Sequence, residues 1–195
     1  MSSRCFYTNF ISSKVDNTQV GAFLGKYCLD YDLTQELIFS RRVNLEREKK
    51  LQEFNFKVLN NILPCGTNLK KWRIVDCNSC DVCNMEQTMI HLLFDCKYVN
   101  HVWNHVSTAL GWNVEQHNII CGSTSENFQL DNIIITIISF LLYKEWLLCS
   151  LDNRKRGQLL NLQCLKGEIE LRVKIYKHCK MDLNVAQLQT VLSYL

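Results

Sequence analysis

Residues 80–96 read CDVCNMEQTMIHLLFDC and place three cysteines and one histidine close together in the chain. The spacing is Cys80-x2-Cys83-x7-His91-x4-Cys96. Thiolates and an imidazole nitrogen are the ligands that Zn²⁺ prefers in closed tetrahedral sites, and two residues between cysteines let both sulfurs converge from one tight turn. The spacing therefore predicts a structural zinc ion in this stretch, with Cys80, Cys83, His91 and Cys96 as one possible set of four ligands.

The helical geometry around these ligands constrains Cys96. Because His91 and Cys96 are five positions apart, they point about 140° apart around an ideal α-helix and cannot both face one ion from its middle. The helical pattern changes phase at Cys96, which predicts two helices, over 87–95 and 97–110, with Gly111 ending the second. We therefore expect Cys96 at a helix end.

Cys77 provides an alternative ligand, since Cys77-x2-Cys80 is an equally good pair. A structural site closes at four ligands, so one of the three cysteines is spare, and the spacing does not decide which. Four protein ligands leave no position for a reactive water, which indicates a structural ion. Zinc deaminases place a glutamate two residues after the histidine, where this chain has Leu93, so we expect no deaminase.

The composition favours a mainly α fold, a helical domain with a small Cys3His zinc-knuckle module. The 195 residues include one proline and seven glycines, too few turn residues for a β-sandwich. The net charge of +3 permits a nucleic-acid partner without indicating one. Because the N-terminus lacks a secretory signal, we expect an intracellular protein, in the nucleus or cytoplasm, whose eleven cysteines are not a disulfide framework.

Apolar periodicity divides the chain into three parts: an irregular segment with short helices (1–42), a zinc-binding domain (43–111) and a C-terminal helical segment (128–195). The predicted elements are a helix over 43–63 ended by Pro64, one turn at 68–72, a polar surface loop over 112–127, and helices over 130–148, from 157 or 159 to 178, and in the last dozen residues. The apolar run 133–143 is shorter than the ~20 residues that span a membrane, so we expect a core helix and no membrane partner.

Lys70, Lys71, Trp72 and Arg73 combine cations with an aromatic ring, a composition that suits phosphate contact and base stacking. The competing interpretation, which we favour, is that Trp72 packs into the core while its neighbours extend to solvent. His101 and His105, one turn apart, are interpreted as surface histidines. Weaker basic groups are Arg41-Arg42, Arg154-Lys155-Arg156, and the run Arg172, Lys174, Lys177 and Lys180.

Several segments together are similar to a known domain. They are LQEFNFKVLNNILP at 51–64, Asn68-Leu69, Ile74, the cysteine cluster, TMIHLLFDC at 88–96 and Val102-Trp103. In order and spacing, residues 45–105 resemble the zinc-binding domain that follows the polymerase in non-LTR (LINE-like) retrotransposon reverse transcriptases. The resemblance implies that Cys80, Cys83, His91 and Cys96 are the ligands and that Cys77 is spare.

The catalytic motifs of such enzymes are not found in this chain. A reverse transcriptase carries Tyr-x-Asp-Asp, and the nearest string, Asp30-Tyr31-Asp32, lacks the adjacent aspartates. We expect a noncatalytic fragment of such an element that assists RNA template binding, with RNA or DNA as its partner. The alternatives are a zinc-stabilised scaffold that binds a protein partner through its C-terminal helices, or a relic without selected function.

Overall fold

The computed structural model describes residues 17–27, 38, 48–123, 128–152, 166–172 and 174. The helices in these ranges are α1 (Asn17–Tyr27), α2 (Lys49–Leu59), α3 (Gly66–Lys71), a π-helical turn (His91–Asp95), α4 (Lys97–Leu110), α5 (Gln116–Cys121) and α6 (Phe128–Asp152). Residues 166–172 are also helical. The described ranges contain no strand, only an isolated antiparallel bridge between Ser79 and Glu86. The prediction of a mainly α fold is confirmed.

The core of the described molecule is built around α6. Its residues 133–138 are all buried, and the helix packs against α2, α5 and the π-helical turn. Phe54 of α2 lies edge-on to Phe140, with ring centroids 5.5 Å apart. One buried polar contact joins the same two helices, since Asn55 Nδ2 donates to Thr136 Oγ1 at 3.2 Å. These contacts are those of a core helix.

α6 is long and apolar enough to cross a membrane by length and composition alone. This stretch is Asp131–Ser150, and 67% of its most apolar part is buried inside the molecule. Core helices of soluble proteins meet the same criterion, so this is weak evidence for a membrane span. Because the run is covered by other parts of the chain, its apolar character is accounted for by packing.

α2 carries the predicted apolar stripe but ends earlier than predicted. Leu51, Phe54 and Val58 are buried on one face. The helix ends at Leu59 rather than at Pro64, because Asn61 adopts a left-handed φ of 50° and the Ile62 amide donates back to the Lys57 carbonyl at 2.9 Å. Such a left-handed residue ends a helix without proline, and asparagine tolerates it better than most residues.

The prediction of a polar surface loop over 112–127 is wrong for its described part. Glu115 and Asn118 form reciprocal capping contacts that begin α5, and Ile119 and Ile120 are buried. Gly122 follows with a φ of 86°, and a Cβ there would come within 2.6 Å of Asn132 Oδ1. The short helix was missed because two adjacent isoleucines do not establish a period.

Several predicted elements lie wholly or partly outside the described residues. They are most of the segment 1–42 with its short helices, the basic group Arg154-Lys155-Arg156, the ends of the helix predicted from 157 or 159 to 178, and the closing helix of the last dozen residues. In the N-terminal segment, α1 is the helix that the structure describes. The boundaries of the three predicted segments stay a prediction.

Candidate metal centre

Cys80 and Cys83 lie in a tight antiparallel turn that we call the knuckle, residues 78–87. Its two sides are joined by backbone hydrogen bonds from the Gln87 amide to the Asn78 carbonyl and from the Cys80 amide to the Met85 carbonyl, each 2.7 Å long. The chain reverses at Asn84, whose φ is 58°. This short turn is therefore enough to hold the two cysteines, which are three positions apart, without an extended strand.

His91 and Cys96 are brought together by the π-helical turn. The Cys96 amide donates to the His91 carbonyl at 3.0 Å, a bond that spans five positions instead of the four of an α-helix. Five positions then make roughly one turn, so both side chains face the same side. Cys96 has extended backbone angles and precedes α4 directly. The prediction that Cys96 lies at a helix end is confirmed, and the π-helical turn is the detail that sequence analysis missed.

Trp103 stabilises the π-helical turn from α4. A turn of this kind disturbs the regular pairing of helical carbonyls. The Trp103 indole Nε1 donates to the Leu93 carbonyl at 2.7 Å, and the Trp103 side chain is only 1% exposed. Phe94 lies beside the indole, with ring centroids 6.2 Å apart. The sequence places Trp103 within the helix predicted over 97–110 but does not predict this hydrogen bond.

The four predicted ligands form one group. Their ligand atoms all lie within 4.8 Å of one another. The sulfurs of Cys80 and Cys96 are 3.8 Å apart, and Cys83 Sγ lies 3.2 Å from His91 Nε2. A zinc tetrahedron with bonds of ~2.3 Å has edges of about 3.8 Å, whereas a disulfide would need ~2.05 Å. The donor set and its spacing therefore fit a zinc ion.

The surroundings of the group also suit a structural ion. Cys80, His91 and Cys96 are buried, and Cys83 is half-buried. Buried thiolates need a compensating cation, because desolvation penalises the charged form. Among the described residues this is the only set of three or more histidines, cysteines or carboxylates arranged to hold a metal.

Cys77 lies outside this group, and its thiol faces Ser79. The two side-chain atoms are 2.7 Å apart, and Cys77 is exposed. Hydrogen bonding from Ser79 holds the pKa of the Cys77 thiol below its usual value. The arrangement of ligand atoms thus favours Cys80 and Cys83 as the pair that spacing alone left open.

The other described cysteines have different surroundings. Cys65 and Cys149 are buried free thiols, and burial raises the pKa of Cys65. Cys121 is disulfide-bonded. The cysteines of this chain are therefore not all of one kind, and the metal-binding group stands apart from the rest by its geometry.

Lys70, Lys71, Trp72 and Arg73 form an exposed segment, here called the basic turn. Trp72 is 42% exposed, so the expectation that it packs into the core is wrong. The three cationic side chains are also exposed, and Lys70 Nζ lies 3.5 Å from Asn78 Oδ1 of the knuckle. Trp72 stays outside because Arg73, with a φ of 61°, turns the chain at the end of α3.

Backbone contacts fix the start of α3 to the knuckle. The Thr67 amide donates to the Gln87 carbonyl at 3.1 Å, and the Gly66 amide donates to Gln87 Oε1 at 3.2 Å. A Cβ on Gly66 would come within 2.9 Å of Gln87 Cβ, so this approach requires glycine. The basic turn is thereby held at a defined place beside the metal centre.

The remaining predicted basic residues are less available. Arg172 forms ion pairs with Glu48, at 3.2 Å, and with Glu168. Lys174 is exposed, and the other members of these clusters lie outside the described residues. His101 and His105 have ring centroids 4.7 Å apart, and neither joins the metal-binding group.

Comparison with known proteins supports the same assignment. Residues 34–103, 70 of the chain's 195, match the model of a family described as zinc-binding in reverse transcriptase. No curated protein and no solved structure matches the chain. The matched range includes all four ligands and Trp103, which braces the π-helical turn. Residues 34–103 are therefore similar to the zinc-binding domain found in reverse transcriptase, and the match covers 70 of the chain's 195 residues.

Proposed function

We propose that the chain is a noncatalytic, zinc-stabilised module that binds single-stranded RNA through the basic turn, and that its zinc-binding domain derives from a non-LTR retrotransposon. The observation that carries this proposal is the exposure of Trp72 among three exposed cations, on a segment fixed to the metal centre. A base could stack on the exposed Trp72 ring while the neighbouring cations contact its phosphates.

The chemistry of the basic turn suits a single strand better than a duplex. Each base offers a π-face, and stacking on an aromatic side chain contributes ~1–3 kcal/mol per base. Neighbouring cations contact the phosphates on either side of the stacked base. In a duplex the bases are already stacked on one another, so Trp72 would gain little.

The role of the metal in this proposal is structural. A bound zinc would hold the knuckle against the π-helical turn, and all four coordination positions are taken by protein ligands. Residues of the knuckle in turn hold α3, through Gln87 and Asn78. The ion therefore supports RNA binding by positioning the basic turn.

A salt series of binding to single-stranded RNA tests the proposal. Binding should weaken as salt rises, and the variant Lys71→Gln/Arg73→Gln should lower the slope by ~0.7 per lost phosphate contact. Trp72→Ala should weaken binding roughly 5- to 150-fold, the equivalent of one lost stacking contact. The matched control is Lys49→Gln/Lys50→Gln, which removes two exposed cations from the start of α2. Absence of binding at low salt, or equal loss in the control, would refute the proposal.

A second candidate function is protein docking, and one observation favours it. Ile74 and Met85, near the basic turn and in the knuckle, are 65% and 63% exposed. Of the C-terminal helices that were predicted to bind a partner, α6 is less suitable for docking, because its apolar run is buried within the described molecule. Concentration-dependent sedimentation that disappears in Ile74→Gln/Met85→Gln would support docking, and sedimentation as a monomer at all concentrations would oppose self-association.

A further inference from the structure

A cleft of about 580 Å³ lies between α1, the π-helical turn, α4 and the segment leading into α5. Its volume falls within the ~300–1,000 Å³ of typical small-molecule sites. The residues that matter for its chemistry are Lys26, Tyr27, Phe94, Asn100, Asn104 and Asn113. None of the basic-turn residues lines it, so this cleft is a separate site.

We propose that this cleft binds one unpaired nucleobase of the RNA strand, an inference that rests on the proposed function. The chemistry needed is a planar apolar surface together with groups that both donate and accept hydrogen bonds. The cleft provides both. The basic turn would give affinity without base preference, and the cleft would add base preference.

The apolar surface comes from Tyr27 and Phe94, which are partly exposed. Each ring lies beside a second aromatic ring: Phe94 is 6.2 Å from Trp103, and Tyr27 is 5.3 Å from Phe23, measured between ring centroids. Because these neighbours already restrict the two rings, the Tyr27 and Phe94 side chains lose little conformational entropy when a base stacks on them.

The hydrogen-bonding groups are three carboxamides. Asn100 and Asn104 lie one turn apart on α4, and Asn113 faces the same cleft from the segment before α5. Within the described part of the chain, their side-chain amides have no hydrogen-bond partner, whereas the Gln116 amide at the same cleft donates to Asp95 Oδ1 at 2.6 Å. A carboxamide offers a donor and an acceptor side by side, which matches the Watson–Crick edge of a base.

This polarity argues against an apolar ligand, which would desolvate three amides without replacing their hydrogen bonds. The ionisable side chains that line the cleft are those of Lys26, Glu115 and His117. The Lys26 Nζ lies 5.4 Å from the centre of the Tyr27 ring. A phosphate attached to a base that stacks on Tyr27 would lie within reach of this ammonium group. The cleft thus fits a nucleotide rather than a lipid or an apolar side chain.

Nuclear magnetic resonance of the zinc-loaded full chain tests the inference. The side-chain amide signals of Asn100, Asn104 and Asn113 should shift saturably on titration with AMP, CMP, GMP or UMP, and more strongly with one base than with the others. The amide of Asn60, which already donates to the Phe56 carbonyl at 2.8 Å, is the internal control and should not move.

Two variants of α4 sharpen the test. Asn104→Ala should weaken binding of the preferred monophosphate about two- to tenfold, the effect of one lost neutral hydrogen bond. Thr108→Ala, one turn further along and not lining the cleft, should leave it unchanged. Equal affinity of the Asn104→Ala variant and the unaltered chain would overturn the inference.

The result for the cleft can be separated from the result for the basic turn. If RNA shifts the Trp72 indole signal while neither RNA nor any monophosphate moves the three cleft amides, the inference fails and the proposed function stands. If monophosphates move the cleft amides but RNA leaves Trp72 unaffected, the proposed function fails and the cleft is a nucleotide site of its own. If nothing moves, both fail.

Discussion

At the scale of single residues, the metal ligands have an environment that a cation explains better than apolar packing does. Two of the thiols, those of Cys80 and Cys96, are almost fully buried and face each other at 3.8 Å. In the absence of a metal these sulfurs could offer only weak hydrogen bonds. Coordination replaces those weak contacts with strong bonds, and its free energy contributes directly to folding.

Removing one ligand should therefore remove the metal. We expect Cys83→Ser and His91→Ala to reduce zinc from one ion per chain to a small fraction of that, because three remaining ligands bind far more weakly. Cys77→Ser should keep full metal content, since its thiol faces Ser79 instead of the other ligands. Metal analysis of the purified variants is the measurement. Loss of zinc from the Cys77→Ser protein would show that the ligand set is wrong.

Among the cysteines that the structure describes, Cys77 should also be the most reactive thiol of the metal-loaded protein. It is exposed, and hydrogen bonding from Ser79 lowers its pKa, so more thiolate is present at neutral pH than in an ordinary cysteine. We expect Ser79→Ala to move the midpoint of the alkylation rate against pH to a higher value. Mass spectrometry after timed iodoacetamide treatment measures this, and buried Cys65, whose pKa is raised, should react slowly in the same sample. An unchanged midpoint would contradict the role given to Ser79.

Sequence reasoning was strongest where ligand chemistry is local. The spacing of Cys80, Cys83, His91 and Cys96 predicted the group because few other arrangements use four such residues within so short a stretch. It could not choose between Cys77 and Cys83, which have the same chemistry and equivalent spacing. It also favoured a buried Trp72, because the burial of one side chain depends on distant packing that spacing does not encode.

At the scale of elements, the π-helical turn solves a problem that an α-helix cannot. Residues five apart in an α-helix diverge, and one additional residue in the turn brings His91 and Cys96 to the same side. Within this turn, the Leu93 carbonyl accepts its hydrogen bond from the Trp103 indole. This dependence makes the indole nitrogen, as distinct from the size of the ring, important for the metal centre.

Trp103→Phe tests that dependence. We expect it to lower the free energy of unfolding by ~1–3 kcal/mol, since the Leu93 carbonyl loses its buried donor, with additional loss from the smaller ring. Zinc should also be released faster to a competing chelator. Trp112→Phe is the control, because Trp112 is half-buried and has no such hydrogen bond in the described part of the chain. Equal effects of the two substitutions on zinc release would indicate that ring volume alone matters.

Helix boundaries were predictable where an apolar face and a termination residue agree. α4 runs from Lys97 to Leu110 as predicted, and Gly111 follows with a left-handed φ of 78°. The end of α2 and the presence of α5 were missed, because Asn61 and the pair Ile119-Ile120 give no periodic signal. The π-helical turn was missed for a similar reason, since a single additional residue changes the period only locally.

At the scale of the whole molecule, apolar packing and metal binding are expected to stabilise different regions. α2 and α6 are held together by apolar packing and by the Asn55–Thr136 hydrogen bond, far along the chain from the ligands. The knuckle carries exposed apolar side chains and few buried ones, so we expect it to depend on a bound metal. The π-helical turn contacts α6 and so belongs to both parts.

Chelation should therefore loosen the molecule unevenly. After zinc removal, we expect backbone amides of residues 74–105 to exchange hydrogen much faster, while those in the middle of α2 and α6 keep most of their protection. Hydrogen exchange followed by mass spectrometry measures both regions in one experiment. Restoration of protection by added zinc, but not by magnesium, is the control, because magnesium prefers oxygen ligands. Uniform protection before and after chelation would mean that the fold does not depend on the ion.

Cys96 is at once a member of the metal-binding group, the donor of the hydrogen bond that closes the π-helical turn, and the residue that precedes α4. A cell short of zinc would therefore produce a chain in which two neighbouring helices lose their common anchor together. Such a chain presents cleavable backbone to proteases, and its abundance would follow the supply of the metal. The lifetime of the protein would then report the zinc status of its surroundings.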